Sequence, residues 1–247
     1  MIVNIPSMLS EKSASLFKLA GLLIIASSLI GCVGNPYEED ASRNDVITLG
    51  DSIFDLNGVI EETLESYAGE TFRNYTQNGA ELQGGFIARS VVDQYSDARS
   101  TDSNISTIVM DGGGNDILIP AYLFDPYKCR TRWYRRNLSE DCTNFIDDLY
   151  VEAVNLLNEM ARDGVDNVIW LGYYELPRLN RNLTKALNYG DDFIGYACEV
   201  SSNASCQFVD PRGTIPASQL NRDAIHPTPE GSVNLANQIW PVLEPLL

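Results

Sequence analysis

The chain has 247 residues, of which 34 are Asp or Glu and 17 are Lys or Arg, and its formal net charge is −17. A field of this sign repels the phosphates of nucleic acids, so the composition excludes a nucleic-acid partner. The length that follows the N-terminal segment suits one domain with a substantial hydrophobic core.

The N-terminal segment has the pattern of an export signal. Lys12 and Lys18 precede an apolar run over residues 19–30. This run is too short for a comfortable membrane span, which needs about 20 residues. The sequence Leu29-Ile30-Gly31-Cys32 that ends it resembles the lipobox of bacterial lipoproteins. That resemblance implies cleavage before Cys32 and attachment of diacylglycerol to its sulfur. An uncleaved anchor or plain secretion is the alternative.

These features divide the chain into three parts. Residues 1–31 are predicted to be a lipoprotein signal peptide, residues 32–44 the lipidated cysteine with a polar tether, and residues 45–247 the folded domain. Val33 follows the cysteine where an aspartate is associated with retention in the inner membrane, which favours the outer membrane. We therefore expect a lipid-anchored protein of the bacterial cell envelope, facing the periplasm or the cell surface.

Short apolar runs alternate with helical patterns along the domain, which is typical of βαβ units around a parallel sheet. Strands are predicted at Val46–Leu49, Phe72–Tyr75, Thr107–Met110, Val168–Leu171 and Gln207–Val209. Helices are predicted at Val59–Tyr67, Phe86–Tyr95, Asn144–Arg162 and from Pro229 onward. Five strands with intervening helices predict an α/β fold, a three-layer α/β/α sandwich.

Two helices have recognisable ends. Thr143 is placed to cap the long helix, and Gly164 to end it. Thr228 is placed to cap the last helix, with Pro229 at its first position, where a missing N–H costs nothing. Pro241 is expected to disturb that helix near its end.

Four polar or glycine-rich stretches follow predicted strands. They are Gly50-Asp51-Ser52, Gln77-Asn78-Gly79, Asp111–Asp116 and the loop that leads to His226. Ligands of parallel sheets bind at the carboxyl ends of the strands, so we expect these stretches to meet. Ser52 alone is ambiguous, because a serine at a strand-to-helix turn is also a common helix cap.

His226 is the only histidine in the chain, and Asp223 lies three residues before it. In a tight loop this spacing lets the carboxylate bond one imidazole nitrogen, which leaves the other free to accept a proton from a serine. A serine hydroxyl is a weak nucleophile without such a base. The alternative is an aspartate that stabilises only its own turn.

The glycine-rich stretch is a candidate oxyanion-binding element. Its three glycines let the backbone approach a ligand closely, and Asn115 follows them with a side-chain amide. A phosphate-binding loop is excluded, because neither a Gly-Lys-Ser/Thr ending nor Gly-x-Gly-x-x-Gly spacing is present. Gly79 and the backbone N–H of Ser52 are two further donors, although Asn78-Gly79 alone also suits an ordinary turn.

Taken in order, these blocks resemble the SGNH/GDSL hydrolase family. The matching residues are Gly50-Asp51-Ser52, Gly79, Gly113–Asp116 and Asp223–His226, and the resemblance spans the whole domain. It implies a flavodoxin-like five-stranded parallel sheet and a catalytic triad of Ser52, His226 and Asp223. It also implies an oxyanion hole formed by the N–H groups of Ser52 and Gly79 and the side chain of Asn115. No metal or organic cofactor is implied. Ile53 stands where many members have leucine, which preserves the apolar character.

Four cysteines besides Cys32 remain for an exported domain, which favours disulfides. Three pairings are possible, and we predict the local one, which closes the shortest loops, Cys129–Cys142 and Cys198–Cys206. A zinc site is the competing interpretation. It is disfavoured because the chain has no Cys-x-x-Cys spacing and its single histidine is assigned to the triad.

A basic insert, defined here as Tyr127 to Asn137, interrupts the acidic sequence. It holds five of the chain's 17 Lys and Arg residues within nine positions, beside two aromatic residues. We expect it on the rim of the active site, where it recognises an anionic or sugar-bearing group; the alternative is a solvated loop that offsets local acid. The candidate rim residues are Arg130, Arg132, Trp133, Arg135 and Arg136.

The leading hypothesis is a serine esterase or lipase that transfers an acyl group from an ester to water. Its substrate would be an acylated glycan, a lipid or a thioester. Acyl transfer to a sugar would use the same residues. A non-catalytic envelope protein that keeps the fold as a binding scaffold is the alternative from another class.

Overall fold

The computed structural model describes residues 37–85, 87–177, 181–201 and 205–247. The predicted signal peptide, Cys32 and the first tether residues lie outside them. Five parallel strands form one sheet, as predicted, and their order in the sheet is β2-β1-β3-β4-β5. The strands are β1 Arg43–Leu49, β2 Phe72–Asn74, β3 Thr107–Met110, β4 Asn167–Leu171 and β5 Ser205–Val209.

Seven α-helices connect and cover these strands in the described part of the chain. They are α1 Ser52–Asp55, α2 Val59–Ala68, α3 Val91–Thr101, α4 Gly114–Leu123, α5 Glu140–Arg162, α6 Thr184–Val200 and α7 Pro229–Leu243. Short 3₁₀ turns lie at Ala217–Gln219 and Glu244–Leu246.

The sheet has a hydrophobic core on each face, because successive side chains of a strand point to opposite sides. In β4, Val168 and Trp170 belong to one core, whereas Ile169 and Leu171 belong to the other. The first core also contains residues of α3 and α5, and the second contains residues of α2 and α7. The result is the predicted α/β/α sandwich.

Three helix predictions need correction. Ser139, rather than Thr143, caps α5, since its hydroxyl accepts a hydrogen bond from the N–H of Cys142 over 3.1 Å. The first turn of α5 is polar and escapes an apolar-periodicity search. Likewise α3 begins at Val91 behind a capping box formed by Ser90 and Asp93, later than the predicted Phe86. Finally, α7 continues through Pro241 to Leu243.

Part of the predicted tether belongs to the domain. The ring of Tyr37 packs against that of Tyr75 at 4.8 Å, and Glu38 exchanges two backbone hydrogen bonds of 2.9 Å with Asn74. The domain therefore begins before residue 45. Within the described ranges, no helix is both long enough and apolar enough to cross a membrane.

Candidate active site

The turn that carries Ser52 is fixed by its surroundings. It follows β1, and the side-chain amide of Gln94 on α3 bonds both the N–H and the C=O of Gly50, at 2.8 and 2.9 Å. Gly50 has φ +148°, and a Cβ there would lie 1.8 Å from Oδ1 of Asp111. Only glycine fits this close approach, which places Ser52 at the first position of α1.

Ser52, His226 and Asp223 form a continuous hydrogen-bonded chain. The Oγ of Ser52 lies 2.8 Å from Nε2 of His226, and Nδ1 of His226 lies 2.7 Å from Oδ2 of Asp223. When Nδ1 donates to the carboxylate, Nε2 is the ring nitrogen that accepts the serine proton. The structure thus brings together three residues that come from the two ends of the domain.

The carboxylate of Asp223 is held in its ionised form. Burial by itself raises the pKa of this group, but the hydrogen bonds from the His226 ring and from the N–H groups of Ile225 and His226 outweigh it, so the pKa is lowered. Its Oδ1 accepts those backbone bonds at 2.9 and 3.0 Å. A charged Asp223 stabilises an imidazolium on His226.

Tyr174 and Asn57 hold the histidine loop in place. Tyr174 follows β4 and donates its hydroxyl to the carbonyl of Ile225. Asn57 follows α1 and donates to the carbonyl of Pro227 over 3.3 Å. These contacts tie the loop of His226 both to the centre of the sheet and to the helix that begins at Ser52.

The segments that carry the three predicted oxyanion donors also meet. The N–H of Gln77 donates to the carbonyl of Gly50 over 3.0 Å, which joins the Gly79 loop to the Ser52 turn. Asn115, in the first turn of α4, donates from Nδ2 to the carbonyl of Ala80 over 2.9 Å. The amide of Asn115 has a second N–H that remains for a ligand. Gly79 has φ +81°, a conformation that favours glycine.

A buried cluster of two carboxyl groups and a phenol lies beneath Ser52. Asp51 caps α1 through the N–H of Ile53 at 2.9 Å, and it accepts the hydroxyl of Tyr173 at 2.7 Å. Oδ1 of Asp111 accepts the N–H of Asp51 at 2.8 Å. Burial and the charge of Asp51 raise the pKa of Asp111 well above its usual value.

Asp116, the aspartate that follows Asn115, also stabilises the backbone near the site. Asp116 is buried on α4, and its Oδ2 accepts the N–H of Leu82 over 2.8 Å. Burial raises the pKa of Asp116 to about 7. It therefore fixes the backbone after the Gly79 loop from the same helix that presents Asn115.

Tyr173, Tyr174, Gln94 and the role of Asp111 were not predicted from the sequence. The two tyrosines directly follow β4 and its Gly172, at the same sheet edge as the other loops. Their position after a strand was a usable signal. Gln94 lies within a helix, and no local pattern indicates that its amide reaches Gly50.

Both predicted local disulfides are observed. Cys129 bonds Cys142 and Cys198 bonds Cys206, with Cα–Cα distances of 5.0 and 4.7 Å. The first one attaches the basic insert to the start of α5. No group of His, Cys, Asp and Glu residues in the described ranges has the arrangement of a metal site.

The basic insert adjoins the active site through Tyr122. The guanidinium carbon of Arg130 lies 5.0 Å from the centre of the Tyr122 ring. The pKa of Tyr122 is raised to about 12, by burial and by the charge of Asp223, and the charge of Arg130 opposes this rise. Of the predicted rim residues, Arg135 donates from its guanidinium to the carbonyls of Lys128 and Arg130 and so also braces the insert.

No protein-family model matches the sequence, and no curated protein matches it. Solved structures do resemble the fold. A catalytic mutant of Axe2, an acetylxylan esterase from Geobacillus stearothermophilus, matches with a TM-score of 0.58 and 14% identity over 84% of this chain and 95% of its own. A carbohydrate esterase family 3 structure from Talaromyces cellulolyticus matches with a TM-score of 0.57 and 18% identity over 81% and 96% of the two chains.

A structure of TesA matches with a TM-score of 0.57 and 18% identity, covering 82% of this chain and 99% of its own. All three neighbours are SGNH hydrolases, the group that the motif blocks resemble. At these identities the likeness concerns the fold. The chain has the α/β fold of the SGNH hydrolases.

Proposed function

We propose that this protein is a serine hydrolase that cleaves carboxylic esters. The observation that carries the proposal is the hydrogen-bonded chain from Oγ of Ser52 through the His226 ring to Asp223, with distances of 2.8 and 2.7 Å. Nucleophile, base and orienting acid are thus within the reach that acyl transfer requires. The fold shared with solved esterases supports the same reaction class.

In the first half of the reaction, Oγ of Ser52 attacks the ester carbonyl while Nε2 of His226 takes its proton. The tetrahedral intermediate collapses when the imidazolium returns that proton to the leaving alcohol, which gives an acyl-serine. In the second half, water attacks the acyl carbon and gives its proton to His226. The carboxylic acid then leaves, and the hydroxyl of Ser52 is restored.

The negative charge that develops on the carbonyl oxygen needs donors that are already in place. We assign this role to the N–H groups of Ser52 and Gly79 and to the free N–H of the Asn115 amide. Their segments are tied together by the bonds from Gln77 to Gly50 and from Asn115 to Ala80, so little reorganisation is needed as the charge develops.

The substrate class that we favour is an acylated carbohydrate. Two of the structural neighbours, an acetylxylan esterase and a carbohydrate esterase family 3 structure, are named for carbohydrate esters. Lipid esters and thioesters use the same chemistry and are distinguished by assay.

The test is hydrolysis of p-nitrophenyl esters from acetate to palmitate by the full chain, beside Ser52→Ala and Asp223→Asn. We expect turnover of the acetate ester, its loss in Ser52→Ala, and a kcat lowered by about 10⁴-fold in Asp223→Asn because the imidazole tautomer is no longer fixed. Turnover that survives Ser52→Ala would contradict the proposal. A folded protein that turns over no ester would favour the non-catalytic binding scaffold.

We also propose that the protein is anchored in the bacterial envelope through lipid on Cys32. The lipobox-like sequence and the two disulfides, which suit an oxidising compartment, support this location. Metabolic labelling with a radioactive fatty acid tests it. Label that is present in the full chain and absent from Cys32→Ser supports the anchor, and unlabelled protein in the soluble fraction overturns it.

A further inference from the structure

The arginines of the basic insert form no ion pair with the acidic residues that the structure describes. Although the chain has 34 Asp and Glu residues, none of those in the described ranges forms an ion pair with Arg130, Arg132, Arg135 or Arg136. The neighbouring Lys128, by contrast, pairs with Asp141. Arg135 is used within the insert, whereas the guanidinium groups of Arg130 and Arg132 donate no hydrogen bond to a described residue.

The insert is nevertheless firmly held. The Cys129–Cys142 disulfide attaches it to α5, and the N–H of Thr131 donates to the carbonyl of Asn182 over 2.8 Å. Lys185 of α6 donates to the carbonyl of Arg136 over 2.7 Å. A loop that is already fixed loses little conformational entropy when it binds a ligand, so the exposed side chains of the insert are preorganised for binding.

The insert encloses an open cavity of about 470 Å³, a volume within the range of ligand sites. Its walls are Arg130, Arg132, Trp133, Tyr134 and Asn182. The side chains of Trp133 and Tyr134 are 86% and 64% exposed, and their rings meet edge to face with centroids 5.4 Å apart. Large aromatic rings that stay in water offer apolar faces on which a sugar ring can pack.

The chemistry of these walls selects an anionic sugar. A guanidinium binds a carboxylate through two parallel N–H bonds, the strongest geometry available to a side chain. The amide of Asn182 can donate to and accept from hydroxyl groups. Because the two arginines and Asn182 share the cavity with the aromatic rings, its lining combines polar donors with apolar faces, which suits a sugar better than a lipid surface.

The cavity is close enough to the triad to share one substrate with it. Tyr122 lies seven positions after Asn115 on α4, about 10 Å along a helix axis. Its ring contacts the guanidinium of Arg130, and the charge of Asp223 acts on its hydroxyl. Tyr122 thus links the wall of the cavity to the sheet edge that carries the triad.

We propose that the cavity lined by Arg130, Arg132, Trp133, Tyr134 and Asn182 binds a carboxylate-bearing sugar of an O-acylated acidic polysaccharide, and that it positions the ester at Ser52. This inference specifies the substrate of the proposed function and rests on it, because the sugar is bound in order to present its ester for hydrolysis at the same edge of the sheet.

The chain offers a matched pair of variants for the test. Arg132→Gln removes a charge from the cavity wall, and Arg136→Gln removes the same charge from an exposed arginine of the insert that is not part of the wall. Binding is measured by calorimetry on the full chain, with non-acylated oligogalacturonate as the probe. We expect Arg132→Gln to weaken binding by about tenfold or more and Arg136→Gln to leave it unchanged within about twofold. Neutral xylo-oligosaccharides should bind more weakly than oligogalacturonate.

Kinetic measurements distinguish failure of the proposed sugar site from failure of the proposed ester hydrolysis. On acetylated oligogalacturonate, Arg132→Gln should raise KM by about tenfold, whereas Arg136→Gln should leave KM within about twofold of the parent. Oligogalacturonate that binds through Arg132 to a chain without esterase activity supports the sugar site and overturns only the proposed hydrolysis. Equal effects of Arg132→Gln and Arg136→Gln, or no binding, overturn the site. Arg132-dependent binding to phosphatidylglycerol vesicles in place of oligogalacturonate also overturns it, in favour of a lipid surface.

Discussion

The hydroxyl group of Tyr173 donates a hydrogen bond to Oδ2 of Asp51 over 2.7 Å. This bond connects the segment that follows β4 to the residue that caps α1 and precedes Ser52. Because Asp51 also accepts the N–H of Ile53, its carboxylate fixes the backbone of the Ser52 turn from below. The position of the candidate nucleophile thus depends on a buried carboxyl group that is hydrogen-bonded to a tyrosine.

Tyr173→Phe removes this hydrogen bond and leaves a buried carboxylate oxygen without its donor. We expect the free energy of unfolding to fall by about 1–3 kcal/mol and kcat for p-nitrophenyl acetate to fall with little change in KM. Tyr189→Phe is the control, since it removes a tyrosine–aspartate bond to Asp147 that lies in a partly buried place. Equal losses of kcat in the two variants would show that Tyr173 has no special role in positioning Ser52.

Asn115→Ala removes the side-chain donor of the proposed oxyanion hole. We expect kcat to fall by about 10²- to 10³-fold, because the donor acts on charge that is present only in the transition state. The variant also loses the bond to the carbonyl of Ala80, so thermal unfolding is measured in parallel. A folded variant whose kcat is within about threefold of the parent would exclude Asn115 from the oxyanion hole.

Glu61 makes the stability of the domain depend on pH. Burial raises the pKa of this carboxyl from 4.5 to about 8, although the Thr48 hydroxyl opposes the rise. Below pH 4.5 the group is protonated whether the chain is folded or not. Between pH 4.5 and about 8 only the folded state keeps the proton, so the free energy of unfolding falls as the pH rises through this window.

Glu61→Gln should therefore flatten the decline of stability between about pH 5 and pH 8. The effect is a few kcal/mol at most, since one pKa unit corresponds to about 1.4 kcal/mol. The glutamine amide can donate to Thr48, whose hydroxyl also reaches the carbonyl of Arg73, so the buried bonds can be kept. Denaturant unfolding across this range measures it, with the exposed Glu62→Gln as control. The same slope in all three proteins would contradict the assignment.

The two disulfides should differ in their effect on function. Replacing Cys129 and Cys142 by serine opens a loop with a sequence separation of 13, which costs about 3 kcal/mol of stability in the chain-entropy model. It also releases the basic insert, so we expect KM for acetylated oligogalacturonate to rise. Replacing Cys198 and Cys206 destabilises the domain without touching the insert. KM values that rise equally in both double variants would contradict this division.

The positions of the strands and their parallel arrangement were predictable because a parallel sheet covered on both faces leaves short, apolar runs in the sequence. The helix starts were not, since the first turn of α5 and the capping box at Ser90 are polar and carry no apolar period. The motif residues of the site could be predicted because each follows a strand.

The hydrogen bonds that hold the site residues in position could not be predicted in the same way. Gln94 reaches Gly50 across 44 positions, and Tyr173 reaches Asp51 across 122. Such contacts depend on the packing of helices and strands in three dimensions, and nothing in the local sequence marks their partners. The basic insert has one property that was predictable from the sequence and one that was not. Its charge was evident from the sequence, whereas the use of Arg135 as an internal brace was visible only in the structure.

Labelling with a fluorophosphonate probe tests the central claim most directly, because the probe forms a covalent bond with a serine only where a base and an oxyanion hole activate it. The full chain is incubated with the probe, and the modified residue is identified by mass spectrometry of its peptides. We expect one adduct per chain, on Ser52, and its absence in Ser52→Ala and His226→Ala. No adduct on a folded protein, or an adduct on another serine, would contradict the claim that Ser52 is the nucleophile.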